Sequence, residues 1–299
     1  MTQTTLVASS AGSSSLTARV SELRRSKIRR RSVEEIENGD QLEAGLNGST
    51  DSLDPLDAVE LPSDAEIAFE SLRSRSKLQI RALGGLPPIV LRSQLYASLR
   101  ERSEVDKHLE LMRAIGEVRL LKAVLIKDDI AVVTTDDYIE CIDMKLRSCK
   151  KDTLDDLALR RFRDHTVPTY RQKSIAKEEL RHSLHPSRVK QSMEMTSAIL
   201  RLGFAVRVAS DEGSFNFSVP SWGRFWKNVR DGSKELTQKL RRQEYNELML
   251  SALETSQIRK SCFDASFHVK QMVGSNVVEV IPTASGSVVR LLDNDDNES

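Results

Sequence analysis

From residue 63 onward, the hydrophobic positions repeat one order of elements three times: helical segments, then two short strands around a turn. The helical segments carry apolar residues three and four positions apart, whereas the strands are short runs rich in β-branched residues. Helices followed by a hairpin within about 70 residues are the order of a winged helix, a helix-turn-helix variant with a β-hairpin wing. Three consecutive copies predict three tandem winged-helix modules.

Glycines, prolines and capping residues place the segments of each copy. We expect N-caps at Ser63 or Asp64 and at Ser103, and Pro87 suits the first turn of its helix. In all three copies, the helix before the hairpin ends at a glycine. The predicted helices of the first copy are 63–76, 87–99 and 103–116. The predicted hairpins lie near 117–135, 204–219 and 277–292.

The predicted fold class is mainly α with small β-hairpins, an α+β arrangement of three winged-helix modules behind a disordered N-terminal tail. The predicted units are the tail (1–62), the first module (63–138), a linker helix with the second module (139–220), the third module (221–293) and an acidic disordered end (294–299).

The tail differs from the modules in composition. It has no aromatic residue and few large apolar ones, so it cannot bury enough surface to offset its ordering entropy. Residues 32–66 hold eleven acids and no Lys or Arg, so the net charge of +1 conceals strong segregation. A basic block in the tail predicts a nuclear import signal or a nucleic-acid arm; the alternative is a solvated tail with no receptor. The block consists of Arg24, Arg25, Lys27, Arg29, Arg30 and Arg31.

The stretch 221–242 combines both tryptophans with concentrated positive charge. At about 100° per residue, its large apolar side chains fall on one helical face about 100° wide. This pattern indicates that Trp222 and Trp226 belong to a core and are not base-stacking platforms. Ser221 is the expected N-cap, and Gly232 is a point where the helix could loosen. After Ser221 come seven basic residues and two acids, a net charge of +5, away from the apolar face.

One-sided positive charge is the pattern expected of a surface that contacts a phosphate backbone, because each contact releases counterions. We therefore predict that double-stranded DNA binds here, with RNA as an open alternative. The competing interpretation is a face that is merely solvated. The predicted DNA-binding residues are Arg224, Lys227, Arg230, Lys234, Arg241, Arg242, Arg259 and Lys260.

Patterns of catalysis and metal binding are missing from the sequence. It contains neither the glycine-rich loop, the catalytic loop nor the metal-binding Asp-Phe-Gly of protein kinases. The glycine pair in "ALGGLPP" lacks the Gly-Lys-Ser/Thr of a phosphate-binding loop. The five histidines are scattered, and only His182 and His185 are close together. We expect no catalytic residue, no metal and no cofactor.

Cysteine usage and hydropathy are typical of an intracellular protein that is not inserted in a membrane. Cys141, Cys149 and Cys262 form neither an even disulfide set nor a Cys-x-x-Cys pair, so we interpret them as reduced intracellular thiols. No run of about 18 apolar residues exists, so we expect no membrane span. The first twenty residues also lack the pattern of a secretory signal.

Several segments resemble the serine/threonine-protein kinase 19 family. They are "LPPIVLRSQLY" (86–96), "GEVRLLKAVLIKDDIAVVTTDDY" (116–138), "VPSWGRFWK" with "YNELMLSAL" (219–253) and "FHVKQMVGSNVVEVIPTASGSVVRLL" (267–292). The resemblance covers most of residues 80–292 and is weaker in the middle module. It implies tandem winged helices, nucleic-acid binding and a nuclear, chromatin-associated role in transcription-coupled nucleotide excision repair. In that role the protein bridges the stalled RNA polymerase II complex and the repair helicase complex. The family's kinase label conflicts with the missing motifs.

The resemblance also extends to individual basic residues. Lys227 matches a basic position after "GRF", and Arg241 with Arg242 matches a basic pair before "Y-x-E-L". Arg259 and Lys260 approximate a basic patch that follows "SAL" in the family.

The leading hypothesis is a non-enzymatic nuclear adaptor that binds DNA. The main alternative is a protein-interaction scaffold without direct DNA binding, because winged helices also dock proteins. A serine/threonine kinase is a distant alternative.

Overall fold

Three similar groups of helices and strands follow one another in the computed structural model, which describes residues 63–123, 129–185, 187–208 and 211–292. The predictions for the tail, its basic block and the acidic end concern residues outside these ranges. Part of the first predicted hairpin turn lies outside them as well.

The first group begins with a capped helix, as predicted. The Ser63 hydroxyl accepts a hydrogen bond from the Glu66 backbone N–H (3.2 Å), and the Glu66 carboxylate accepts one from the Ser63 N–H (3.0 Å). This reciprocal pair is a capping box. The elements of the first group are α1 (Asp64–Gln79), a 3₁₀ turn (Ile80–Leu83), β1 (Val90–Leu91), α2 (Arg92–Ser98), α3 (Arg102–Ile115), β2 (Val118–Lys122) and β3 (Ile130–Thr134).

The linker helix α4 (Thr135–Ser148) leads to the second group, and the third group follows. The second group comprises α5 (Leu154–Arg161), a π-helical turn (Phe162–Thr166), α6 (Val167–Thr169), β4 (Ser174–Ala176), α7 (Lys177–Leu184), α8 (Val189–Leu202), β5 (Ala205–Val208) and β6 (Asp211–Phe217). The third comprises α9 (Trp222–Arg241), a 3₁₀ turn (Glu244–Asn246), β7 (Glu247–Met249), α10 (Leu250–Thr255), α11 (Ala265–Gly274), β8 (Val278–Thr283) and β9 (Gly286–Leu291).

Each group forms one three-stranded antiparallel sheet with the same strand order. The orders are β1-β3-β2, β4-β6-β5 and β7-β9-β8, so the last strand of each group is central. The predicted hairpins are therefore confirmed. The fold is α+β and consists of three tandem winged helices, as the repeated pattern predicts.

The short first strand of each sheet was not predicted. The expected helix over 87–99 is wrong at its start, because Val90 and Leu91 pair with β3 and α2 begins at Arg92. Two extended residues are too few to show the alternation of a strand, so their pairing with β3 depends on tertiary structure. Ser103 is not an N-cap either, since α3 begins at Arg102 after Glu101.

Two of the three glycines that were predicted to end a helix do so. Gly116 (φ 87°) and Gly203 (φ 85°) end α3 and α8 in the left-handed conformation, which glycine adopts at little cost. Gly274 is instead the last residue inside α11, and Ser275 is the C-cap.

Buried apolar side chains form three clusters. One lies within the first group and includes Phe69 and Leu109, and another lies within the third group and includes Leu236 and Val289. The largest cluster joins side chains from the first two groups to the amino-terminal half of α9. The three winged helices therefore share a core and form one compact unit.

A buried arginine joins the first and second groups. Arg119 on β2 is 3% exposed and donates to the backbone carbonyls of Val167 (2.9 Å) and Tyr170 (2.8 Å). Its guanidinium carbon lies 4.5 Å from the centroid of the Phe217 ring. Burial lowers the pKa of Arg119. These contacts hold the second group against the sheet of the first.

Candidate nucleic-acid interface

Helix α9 buries one continuous face, as its sequence predicts. Trp222, Phe225, Trp226 and Val229 lie in the core shared with the other modules, and Leu236 and Leu240 lie in the core of the third. The Trp226 ring is fully buried and meets the rings of Trp222 and Phe225 edge to face, at centroid distances of 5.3 and 5.1 Å. The prediction that both tryptophans belong to a core is confirmed.

Two details of α9 differ from expectation. Ser221 does occupy the N-cap position, but it has left-handed backbone angles (φ 63°) and its side chain makes no capping hydrogen bond. Gly232 does not loosen the helix, which is continuous from Trp222 to Arg241. A Cβ atom at Gly232 would lie 2.2 Å from Nε2 of His268, so this glycine is needed for close packing.

The predicted basic residues of α9 lie on its outer side. Measured from Trp222 at 100° per residue, they span about 80° to 200° around the helix. Arg224, Lys227, Lys234, Arg241 and Arg242 are exposed. The burial of the opposite face therefore turns a linear run of charges into one solvent-facing stripe.

Arg230 is the least available of the predicted residues. It is only partly exposed, and its Nε lies 3.1 Å from Oδ1 of the neighbouring Asp231. Lys239 also belongs to α9, but it is turned aside: its Nζ donates to the Gln257 carbonyl (2.8 Å) and to the Ser256 hydroxyl (3.3 Å).

A loop between α10 and α11 is attached to the side of α9. The carboxylate of Glu235 accepts hydrogen bonds from the backbone N–H groups of Arg259 (3.0 Å) and Lys260 (2.9 Å). The Asn228 side-chain oxygen accepts one from the Cys262 N–H (3.0 Å). Because their backbone is fixed in this way, the exposed side chains of Arg259 and Lys260 lie beside the α9 stripe.

These contacts also determine the charge state of Glu235. Burial by itself would raise the pKa of this carboxyl, but the backbone donors of Arg259 and Lys260, together with the charges of Lys239 and Lys260, outweigh burial and hold its pKa below the ordinary value. Glu235 therefore stays ionised at neutral pH and keeps the loop in place. Sequence reasoning counted Glu235 only as a charge that weakens the basic stretch, and no sequence signal identified it as the loop anchor.

We call the eight predicted residues together the basic surface. They are Arg224, Lys227, Arg230, Lys234, Arg241, Arg242, Arg259 and Lys260. The structure places six of them on or at the end of α9 and two on the adjacent loop.

The helix that a winged-helix protein normally places in the major groove is buried in the third module. Helix α11 is packed so closely against α2 that a Cβ atom on Gly274 would lie 1.7 Å from the Ser93 carbonyl oxygen. On another side of α11, Phe267 stacks on Phe263 at 4.2 Å between ring centroids. Sequence reasoning did not anticipate this burial.

The equivalent helices of the other modules carry little net positive charge. Helix α3 has three basic and three acidic residues, and α8 has two basic and one acidic residue. In the second wing, β5 carries Arg207 and β6 begins with Asp211 and Glu212, and the third wing tip is uncharged. Among these elements, α9 and its neighbouring loop carry the concentrated positive charge.

The described residues also contain no cluster of three or more His, Cys, Asp or Glu placed to hold a metal ion. No helix within the same ranges is both long and apolar enough to cross a membrane.

Comparison with known protein families identifies the family of this chain. Residues 60–291 match the family described as "Inactive serine-threonine protein kinase 19". The chain belongs to this family. Its description as inactive agrees with the missing kinase motifs.

Relatives from several animals resemble most of the chain. "Winged helix repair factor 1" of Mus musculus is 28% identical over 242 residues, which cover 80% of this chain and 91% of the relative. The Xenopus laevis protein of that name is 29% identical over 69% of this chain and 75% of its own length. The Homo sapiens protein is 27% identical over 69% and 77%, respectively.

Proposed function

We propose that this protein is a non-enzymatic, nuclear adaptor of DNA repair that binds duplex DNA through the basic surface. The observation that carries this proposal is the arrangement of charge: α9 buries every large apolar residue on one side and exposes cations on the other. Glu235 adds Arg259 and Lys260 to the same region. Clustered, exposed cations are the arrangement that gains most from releasing counterions at a phosphate backbone.

The mode of DNA binding depends on which helix is accessible to solvent. Because α11 is buried against α2, it cannot enter a major groove unless the modules separate. Contacts from α9 and the loop then go to phosphates, which position a protein on DNA without reading bases. We therefore expect binding with little sequence preference.

The names of the relatives support a role in repair, since each is called a repair factor. The family resemblance further suggests transcription-coupled nucleotide excision repair, with the protein bridging the stalled RNA polymerase II complex and the repair helicase complex. The basic block at residues 24–31 would supply nuclear import.

A salt series of fluorescence-anisotropy titrations with duplex DNA tests this proposal. The double variant Arg241→Glu/Arg242→Glu is expected to bind at least about tenfold more weakly. Its slope of log K against log salt should fall by about one unit for each lost phosphate contact. The loss should be similar for unrelated DNA sequences.

Two controls make the result specific. Arg147→Glu/Lys150→Glu makes the same charge change at exposed positions outside the basic surface and should leave binding nearly unchanged. Thermal melting should show that both double variants are folded. If the Arg241/Arg242 variant binds as tightly as the native protein at every salt concentration, the surface is merely solvated. The scaffold interpretation would then replace DNA binding.

The absence of catalysis is a separate part of the proposal. Purified protein should transfer no phosphate from ATP to protein substrates above background. Activity that persists through purification and disappears when one carboxylate of this chain is replaced would contradict it.

A further inference from the structure

The chain has fourteen aromatic side chains, all within the described residues, and a single one of them, Tyr245, is exposed. Tyr245 is 78% exposed, whereas both tryptophans are buried. An aromatic ring in water costs free energy, although single exposed apolar residues are common on protein surfaces. Exposure alone therefore does not assign a role to this ring.

The backbone at Tyr245 supplies a second observation. Tyr245 has φ 59° and ψ 15°, and Asn246 has φ 55°, so two successive non-glycine residues are left-handed. This conformation is disfavoured for a bulky residue, and such strain concentrates at functional sites. The turn is held on both sides: the Asn246 N–H donates to the Gln243 carbonyl (3.2 Å), and β7 begins at Glu247, which pairs with Arg290.

The location of the ring is the third observation. The turn directly follows Arg241 and Arg242, the exposed cations at the end of the basic surface. Glu244 in the same turn is acidic and exposed, so it disfavours a phosphate next to the ring. An uncharged base face is the part of a nucleic acid that fits a ring in this position.

We propose that Tyr245 is a stacking site for an unpaired nucleobase, and that the protein recognises duplex DNA next to an unpaired stretch. Base faces inside a duplex are covered by their neighbours, so one ring at the end of a phosphate-binding surface can reach a base only where pairing is interrupted. This inference rests on the proposed DNA binding and names the kind of DNA.

Two DNAs of identical length and phosphate number test it by anisotropy. One is fully paired, and the other contains an internal unpaired stretch with 2-aminopurine as a fluorescent base. Stacking of one base corresponds to a gain in affinity of about 5- to 140-fold. The native full-length protein should therefore prefer the interrupted duplex at least about fivefold and quench the 2-aminopurine fluorescence.

Variants at Tyr245 separate stacking from folding. Tyr245→Asn removes the ring but tolerates the left-handed backbone. This variant should lose both the preference for the interrupted duplex and the quenching of 2-aminopurine fluorescence, and it should bind paired duplex with the native affinity. Tyr245→Phe keeps the ring and should keep both. The neighbouring exposed Gln243→Ala should change neither.

The outcomes distinguish this inference from DNA binding itself. Equal affinity of the native protein for the two DNAs would overturn the stacking site and leave duplex binding intact. An unchanged preference of Tyr245→Asn for the interrupted duplex would overturn it as well, because DNA flexibility would then be the cause of the preference. Failure of the native protein to bind paired duplex overturns the proposed function instead.

Discussion

Helices α8 and α11 occupy the same position in successive modules but have opposite surroundings. Along α8, Val189 is 71% exposed and Met193 is 47% exposed. Along α11, by contrast, Phe267 is 7% exposed in the core shared with the other modules, and Gly274 lies directly against the backbone of Ser93. The second module therefore leaves one face of its third helix open to solvent, whereas the third module packs the corresponding helix against the first module.

The difference shows that a repeated fold does not repeat its binding surface. Once α11 packs against the first module, the third module exposes the outer side of α9 to solvent instead of its third helix. The concentrated positive charge lies there, and not on either third helix. The assignment of a DNA-binding helix by analogy with other winged helices would have selected α11.

The largest expected effect is a difference in the free energy of unfolding between two methionine-to-alanine variants, one in each helix. Met272→Ala should lower the free energy of unfolding by about 2–5 kcal/mol, because it removes a buried side chain and leaves a cavity. Met193→Ala, at an exposed position of α8, should change it by less than about 0.5 kcal/mol. Denaturant unfolding of both variants provides the measurement. Similar losses would mean that α8 is also buried by a contact in solution.

A second pair of variants tests the close approach of α11 to α2. Gly274→Ala should destabilise the protein by about 3 kcal/mol, since the new methyl group meets the Ser93 carbonyl and the backbone must move. Gly223→Ala is the matched control in α9, where nothing lies within 4 Å of the added methyl. It should be neutral or stabilise by up to about 1 kcal/mol. A neutral Gly274→Ala would contradict this packing.

The third prediction concerns pH, since α11 contains a buried histidine and α8 contains none. Nε2 of His268 lies 3.0 Å from the Ser261 hydroxyl. Burial lowers the pKa of His268 to about 4, although the carboxylates of Asp264 and Glu235 raise it. The unfolded chain therefore binds more protons than the folded one between the pKa of folded His268 and the ordinary value of about 6.5.

The contribution of His268 to stability is thus complete above about pH 6.5 and falls as the pH drops towards about 4, by up to about 1.4 kcal/mol per pH unit. His268→Gln should flatten the pH dependence of unfolding in this window, whatever its absolute stability. An unchanged slope would show that His268 is accessible to protons in the folded protein.

The smallest expected effect is on DNA binding by α8. Lys190→Glu/Arg201→Glu reverses both basic residues of α8, which are exposed. Because α8 lies outside the basic surface, the affinity for duplex DNA should change by no more than about twofold. If this variant weakens binding as much as Arg241→Glu/Arg242→Glu, the open third helix contributes to the interface and the contrast with α9 fails.

Local sequence patterns account for the elements and for one face of the candidate site. The order of helices and hairpins, the cap at Ser63 and the apolar face of α9 follow from periodicity and capping, which depend on residues a few positions apart. The same periodicity predicted that Trp222 and Trp226 are core residues. The clustering of cations on the outer side of α9 required no knowledge of the neighbouring modules.

Contacts between residues far apart in the chain decided the rest. The pairing of Val90 with Val132, the close approach of Gly274 to Ser93 and the attachment of the Arg259 loop to Glu235 leave no periodic signal, because each depends on how separate modules or segments meet. Local patterns determine which side of a helix is apolar. Tertiary packing alone determines which neighbour covers that side, and it is this packing that buries α11 and leaves the outer side of α9 exposed.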